Sequence, residues 1–235
     1  MMTVTAVFGV HWGDEGKGKI IDFLVNKYDI VARWNGGNNA GHTVVTKEHG
    51  SIALHFVPSG IVHDGKINVM GNGEIVNLES LLYEIEDIRK AGIEVNPDKL
   101  VLSERSHLIM PYYKDIEKKI EEKAKIGTTG RGIGVTFAKH RDRTGLRIID
   151  LLNDETEFKR KVQMHSDEYE LKLDPEKIYQ EQTRFLNELK KYLRVENTVD
   201  FFRRNRGANI LLEGAQGVFA TLFLLKKSTV FSTLK

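Results

Sequence analysis

Short apolar runs, several of them closed by a glycine-rich polar stretch, alternate along this chain with longer segments whose apolar residues recur every three or four positions. The first run, Val4 to Phe8, is rich in β-formers and ends at Gly9. A polar glycine loop follows, and residues 19–27 then carry Ile20, Ile21, Phe23 and Leu24 at helical spacing. Residues 29–33 read as the next strand. Residues 43–46 and 52–56 read as two strands joined through Lys47, Glu48, His49 and Gly50. Residues 66–70 form a further strand, stopped by Gly71, Asn72 and Gly73, and residues 100–102 are another; residues 126–134 are a third glycine-rich loop, and a strand at 208–212 enters a fourth, 213–217. Between them, residues 78–91 read as a helix with Leu81, Leu82, Ile85 and Ile88 on one face, and residues 112–125 as a highly charged helix. Residues 154–194 are charged and mostly helical, with a break near Asp174-Pro175. Strand, glycine loop and helix in succession open a nucleotide-binding α/β unit. The expected fold is therefore α/β and P-loop NTPase-like: a mostly parallel central sheet flanked by helices, with helical insertions. Neither internal repeats nor a Pro-, Ser- or Gly-rich linker divides it.

Composition narrows the picture. The 235 residues are 40% hydrophobic and 29% charged, enough for one sizeable core and unlike a disordered chain. A formal net charge of +2 gives no signal for nucleic acid or a membrane surface. There is no cysteine, which excludes disulfides and thiol nucleophiles. The start lacks the basic region of a secretory signal, and the longest apolar run, Val218 to Leu225, is far short of the roughly 20 residues of a membrane helix. A soluble, cytoplasmic protein is expected.

The loops carry the candidate chemistry. In Gly13-Asp14-Glu15-Gly16-Lys17-Gly18-Lys19 the glycines let backbone amides turn inward as a phosphate nest, the following helix start adds partial positive charge, and Lys17 adds a full one. The strict P-loop pattern is missed. His11 stands at the motif's first glycine, and Gly18 replaces the Ser or Thr that holds magnesium. Asp14, a carboxylate inside a phosphate nest, points to a magnesium ion, a proton-transfer role, or both; the plain alternative is a helix cap. The second loop, Asn35-Gly36-Gly37-Asn38-Asn39-Ala40-Gly41-His42-Thr43, is too small and polar for core, and His42 at its end is a candidate catalytic group. The other seven histidines have no comparable setting. Lys139, His140, Arg141, Arg143 and Arg147 cluster as an anion-binding or merely solvated basic face.

Taken in order, GVHWGDEGKGK at 9–19, GGNNAGHT at 36–43, Gly71-Asn72-Gly73, IGTTGRGIG at 126–134, Gly145-Leu146-Arg147 and EGAQG at 213–217 resemble the signatures of adenylosuccinate synthetase. The resemblance covers residues 3–217 and implies GTP-dependent ligation of IMP and L-aspartate to adenylosuccinate, with GDP and phosphate released, through a 6-phosphoryl-IMP intermediate. It further implies magnesium, a homodimer, and residue roles. Asp14 would be the general base, His42 the general acid, and Lys17 the neutraliser of phosphoryl charge. GTP would be met by Gly13, Asp14, Glu15, Gly16, Lys17, Gly18, Lys19, Gly41, His42 and Thr43. IMP would be met by Asp14, Glu15, Gly16, Lys17, Asn39, Ala40, Gly41, His42, Thr129, Gln216 and, across a dimer interface, Arg143. Asp14 and the Gly41 carbonyl would bind the metal.

The resemblance departs at three places. His11 stands for a family glutamine, and Val135-Thr136-Phe137 for Pro-Ala-Tyr. Residues 218–235 carry no family motif, where a Gly-Thr-Tyr-Pro segment, a guanine-reading Lys-x-Asp element and an aspartate-gripping arginine loop would follow. The expectation is an incomplete synthetase domain, 1–217, with a divergent tail, 218–235, produced by a frameshift or premature end and with little ligase activity of its own. The competing readings are a non-catalytic nucleotide-binding remnant and a generic P-loop NTPase.

Overall fold

The computed structural model describes residues 3–11, 15–39, 41–46, 50–125 and 127–217. In chain order the elements are β1 (Val4–Gly9), α1 (Lys17–Leu24, continued by a 3-10 turn, Val25–Lys27), β2 (Ile30–Gly36), β3 (His42–Thr46) and β4 (Gly50–Leu54). A second 3-10 turn, Ser59–Val62, leads to β5 (Ile67–Val76), α2 (Leu78–Lys90), β6 (Leu100–Ser103), β7 (His107–Leu108) and α3 (Tyr113–Ala124). Then come α4 (Ile133–Arg141), α5 (Ile148–Asn153), α6 (Glu155–Glu168), α7 (Pro175–Leu189), β8 (Arg194–Glu196), α8 (Thr198–Arg204) and β9 (Ile210–Gly217).

Among the described residues the central sheet has seven strands in the order β1-β9-β2-β5-β6-β8, with β7 paired to β5. All these pairings are parallel, so every strand ends on the same edge of the sheet. The small separate pair of β3 and β4, the two runs joined through Lys47 to Gly50, is antiparallel, as is an isolated bridge between His107 and Arg147. The α/β expectation with a mostly parallel sheet is met.

Period-two alternation puts the two sides of each strand under different helices. Val31 and Leu211 face α1 through Ile21 and Val25. Ile30, Ala32, Val69, Val101 and Ile210 face α8 through Phe201. Each buried Val, Leu, Ile or Phe among these contributes about 1.5–3 kcal/mol by leaving water. The largest core spreads from α2 across α3 and α5 to α7, where Leu81, Ile85, Ile116, Phe158, Val162, Leu186 and Leu189 are buried together. At the sheet edge, Val4 and Phe8 of β1 stay 49% and 56% exposed.

Two segments expected to interrupt strands are strand. β5 runs straight through Gly71-Asn72-Gly73. A Cβ at Gly71 would lie 2.8 Å from the Arg33 carbonyl oxygen and one at Gly73 only 2.4 Å from that of Trp34. The glycines let β5 stay against β2 where their register shifts between Arg33 and Asn35. Likewise Glu213 to Gly217 continues β9, which is paired along β1 as far as Gly217. The charged helices 113–124, 155–168 and 175–189 follow the apolar spacing, and the break does fall at Asp174, whose carboxylate caps α7 through the Lys177 amide. Five short elements, β7, α4, α5, β8 and α8, were not foreseen.

Candidate functional site

Helix α1 starts directly from the first glycine loop. Gly16, at φ 75°, takes the left-handed conformation that caps it, and Lys17 is its first residue. Lys17 is buried to 7% exposure, and its Nζ lies 2.7 Å from Glu15 Oε2. Glu15 folds back on the loop, accepting from the His11 amide at 3.1 Å. Gly13 and Asp14 lie outside the described residues, as does Ala40 of the second loop. Lys19 is exposed on the outer side of α1.

Gly18 has a packing reason that the P-loop comparison could not supply. A Cβ there would stand 3.3 Å from the Cβ of His42 and 3.8 Å from Ser59 Oγ. A Ser or Thr, as the strict motif asks, would push into the first residue of β3. The space that would hold a metal-binding hydroxyl is thus used to bring His42 against the helix.

His42 is buried to 7% exposure. Its Nδ1 pairs with Glu213 Oε1, a contact between residues far apart in the chain. Glu213, fully buried on β9, accepts from the Ser59 amide at 2.8 Å and the Ser59 hydroxyl at 2.9 Å. Burial alone would raise the Glu213 carboxyl. The hydrogen bond to His42, the His42 and Arg33 charges and the Ser59 amide outweigh it and hold the group below the usual carboxylate range. Nε2 of His42 has no hydrogen-bond partner among the described residues.

A second buried group of charges stands behind this pair. Arg33 of β2 is fully buried; its Nη1 donates to the His55 carbonyl at 2.6 Å, and its Nε lies 3.7 Å from Glu74 Oε1 on β5. Burial pushes the Glu74 carboxyl well up, and the Glu84 and Glu213 carboxylates push the same way against Arg33. Glu84, on α2, accepts from the amides of His55, Phe56 and Val57 at 2.9–3.1 Å. This clamp fixes the strand exit that delivers Ser59 to Glu213.

The third and fourth glycine segments arrive at the same edge. Arg131 Nη1 donates to the carbonyl of Asn38 in the second loop. Glu117 on α3 accepts from the Gly132 amide at 2.6 Å, just where α4 begins. Thr129 is exposed in this third loop. On β9, Ala215 packs so closely on Gly36 that a Cβ at Gly36 would lie 2.4 Å from its own, and Gln216 beside it is half-buried. Asn39, Gly41 and Thr43 are exposed at the open side of the second loop, while His42 points inward from β3. Among the described residues no three His, Asp or Glu side chains form a metal-binding group.

Arg143 is not in this cluster. It lies beyond α4, whose nine residues span about 13 Å. There it is exposed and lines a cleft of about 480 Å³ with His107, His140, Arg141, Arg147 and Lys161. Arg147 and Lys161 both reach Asp150, at 2.9 and 3.0 Å. The rings of His107 and His140 stack 4.1 Å apart. Burial, then the His140 and Arg147 charges, lower the His107 pKa to about 4. Lys139, expected on the basic face, turns inward instead, pairing with Glu168 at 2.7 Å.

Sequence reading missed Glu213, Ser59, Arg33 and Arg131. Glu213 did sit at the head of a quoted motif, but reading that motif as a loop hid its inward direction. Ser59 has no local signal.

The profile of a family described as adenylosuccinate synthetase matches residues 6–223. The adenylosuccinate synthetase of Acetivibrio thermocellus is 42% identical over 233 residues, an alignment that covers 94% of this chain and 54% of the relative. That of Clostridium novyi is 38% identical, with 92% and 53% covered. This chain thus spans about half the length of the curated relatives it matches. Among solved structures, the fully ligated adenylosuccinate synthetase from Plasmodium falciparum superposes with a TM-score of 0.78 at 33% identity, covering 99% of this chain and 58% of that one. A cyanophage S-2L succinoaminodeoxyadenylate synthetase bound to dGMP and dATP shares the fold at 18% identity and a TM-score of 0.62.

Proposed function

The chain belongs to the adenylosuccinate synthetase family, and from that premise we propose that its glycine-rich edge binds IMP and the phosphates of GTP for the ligation of IMP with L-aspartate. The meeting of four glycine-rich segments at one edge of a parallel sheet, in a member of this family, carries the reading. Ligation to adenylosuccinate, through 6-phosphoryl-IMP with release of GDP and phosphate, is proposed for the whole family fold; nucleotide binding is proposed for these residues.

In this scheme residues 13–19, with Gly41, His42 and Thr43, meet the GTP phosphates. Lys17, held by Glu15, lowers the cost of negative charge on the transferred phosphoryl group. Asp14 takes the ring proton that makes the purine 6-oxygen nucleophilic, and His42 gives a proton to the departing GDP oxygen. Asn39, Ala40, Thr129 and Gln216 orient IMP, together with residues 14–17. A magnesium ion, which would neutralise phosphate charge, would be held by Asp14 and the Gly41 carbonyl; Gly41 is exposed, and a carboxylate, a carbonyl and phosphate oxygens are the donor set such a hard cation takes. The distance of Arg143 from the loop cluster agrees with a reach into a neighbouring subunit's IMP in a homodimer. No helix among the described residues is long and apolar enough to cross a membrane, and the proposed location is the cytoplasm.

Calorimetric titration of the purified chain with IMP and with GTP in magnesium buffer tests the reading. Saturable binding of both is expected, with Lys17→Ala weakening GTP at least tenfold and IMP less. Folded protein that binds neither nucleotide overturns it. Phosphate release from GTP at the same rate with and without IMP would instead indicate a generic NTPase.

A further inference from the structure

His42 presents two nitrogens with opposite circumstances. Nδ1 faces the Glu213 carboxylate, while Nε2, on the far side of the ring, is buried without a partner among the described residues. A buried imidazole nitrogen left without a partner is costly unless a ligand satisfies it. The carboxylate is not free to turn away. Its Oε2 is held by the Ser59 amide at 2.8 Å and its Oε1 by the Ser59 hydroxyl at 2.9 Å. Ser59 is itself held at the start of a 3-10 turn, a short step beyond the three amides clamped by Glu84.

We propose that Glu213 is a positioning residue for His42: its carboxylate keeps the proton on Nδ1 and leaves Nε2 as the bare nitrogen open to bound ligand. The role deepens the nucleotide-binding reading above, yet it concerns the ring alone. A carboxylate can only accept, so Nδ1 must donate. An orienting carboxylate behind an imidazole fixes both tautomer and ring direction. Free neutral imidazole side chains prefer the proton on Nε2, so an Nδ1–H form at this position is diagnostic.

Glu213→Gln converts the contact with little change of shape. The Ser59 amide can only donate, so the glutamine carbonyl must turn towards it. The glutamine NH2 then faces Nδ1, which must accept, and the proton moves to Nε2. Ser59→Ala removes only the hydroxyl and keeps both the Ser59 amide and the His42–Glu213 contact.

The experiment is a long-range 1H–15N correlation on the 15N-labelled full chain without ligand, at a pH above the histidine range. The His42 signals are assigned by their loss in His42→Gln. Wild-type protein and Ser59→Ala should show a protonated Nδ1 and a bare Nε2; Glu213→Gln should show the reverse. A bare Nδ1 in wild-type protein overturns the proposal, and so does an unchanged Nδ1–H in folded Glu213→Gln. If that variant does not fold, the wild-type spectrum alone decides. A purely structural Glu213 would alter the melting temperature and leave the tautomer in place. Because no nucleotide is present, failure here is separate from failure of IMP or GTP to bind.

Discussion

The carboxyl edge of the sheet and the α5–α7 helices use charge in opposite ways. At the sheet edge Arg33, Glu74, Glu84, His42 and Glu213 are all buried; Arg33, Glu84, His42 and Glu213 each hold a piece of backbone or another side chain, and Glu74 faces Arg33 at 3.7 Å. On the helices the ionic contacts are largely at the surface: Lys159 with Glu155 and Glu176, and Arg160 with Glu157 at 2.6 Å. There the packing of Phe158, Val162, Leu186 and Leu189 supplies the stability instead. The difference shows where a charged residue is structurally replaceable. In water-screened positions an ion pair adds little, whereas a buried one left without its partner is strongly destabilising.

Three substitutions sharpen this contrast. The largest effect is expected from Glu84→Ala, which strands the amides of His55, Phe56 and Val57 inside the protein. Urea denaturation should show a loss of about 3 kcal/mol, since each buried unsatisfied group costs about 1–3 kcal/mol and neighbours are not additive. A loss no larger than that of a surface mutant would break the comparison.

Asp150→Asn sits between the two regimes. Asp150 caps α5 and is reached by Arg147 and Lys161. Burial opposes its charge, but these hydrogen bonds prevail and hold its carboxyl below the ordinary aspartate value of 3.8. A depressed carboxyl gives stability that is present above the unfolded value and lost as pH falls through the folded one. The variant should therefore be less stable than wild type near neutrality, by about 2 kcal/mol. The gap should narrow as pH drops below 3.8, which denaturation midpoints across pH would show. Lys159→Ala is the smallest case: its thermal midpoint should match wild type, even though it removes two ion pairs.

The same division decides what could be read from sequence. The helices of the insertion were visible because their apolar period is regular and their break is a capping aspartate followed by proline. The first glycine loop and the His42 loop were visible because glycine, asparagine and lysine in such runs have few other uses. Gly71, Gly73 and the EGAQG segment were misread as loops because glycine marks a turn and a tight strand crossing equally well. Only the neighbouring carbonyls of Arg33 and Trp34 separate the two. Helix α4 was hidden by the basic residues 139–147, which mask any apolar face. The Glu213–His42 pair joins residues 171 apart, and no local pattern encodes such a meeting.

Among the described residues strand β1 pairs with β9 alone, with Val4 beside Ile210. During synthesis the segment that begins the first glycine loop therefore waits for just over two hundred further residues before its backbone can pair with β9. Until then Val4 and Phe8 belong to an exposed apolar thread, and β2, which also borders β9, lacks a neighbour on that side. The first glycine loop thus leaves a paired strand only once β9 has been made, and its geometry depends on a segment far downstream in the chain.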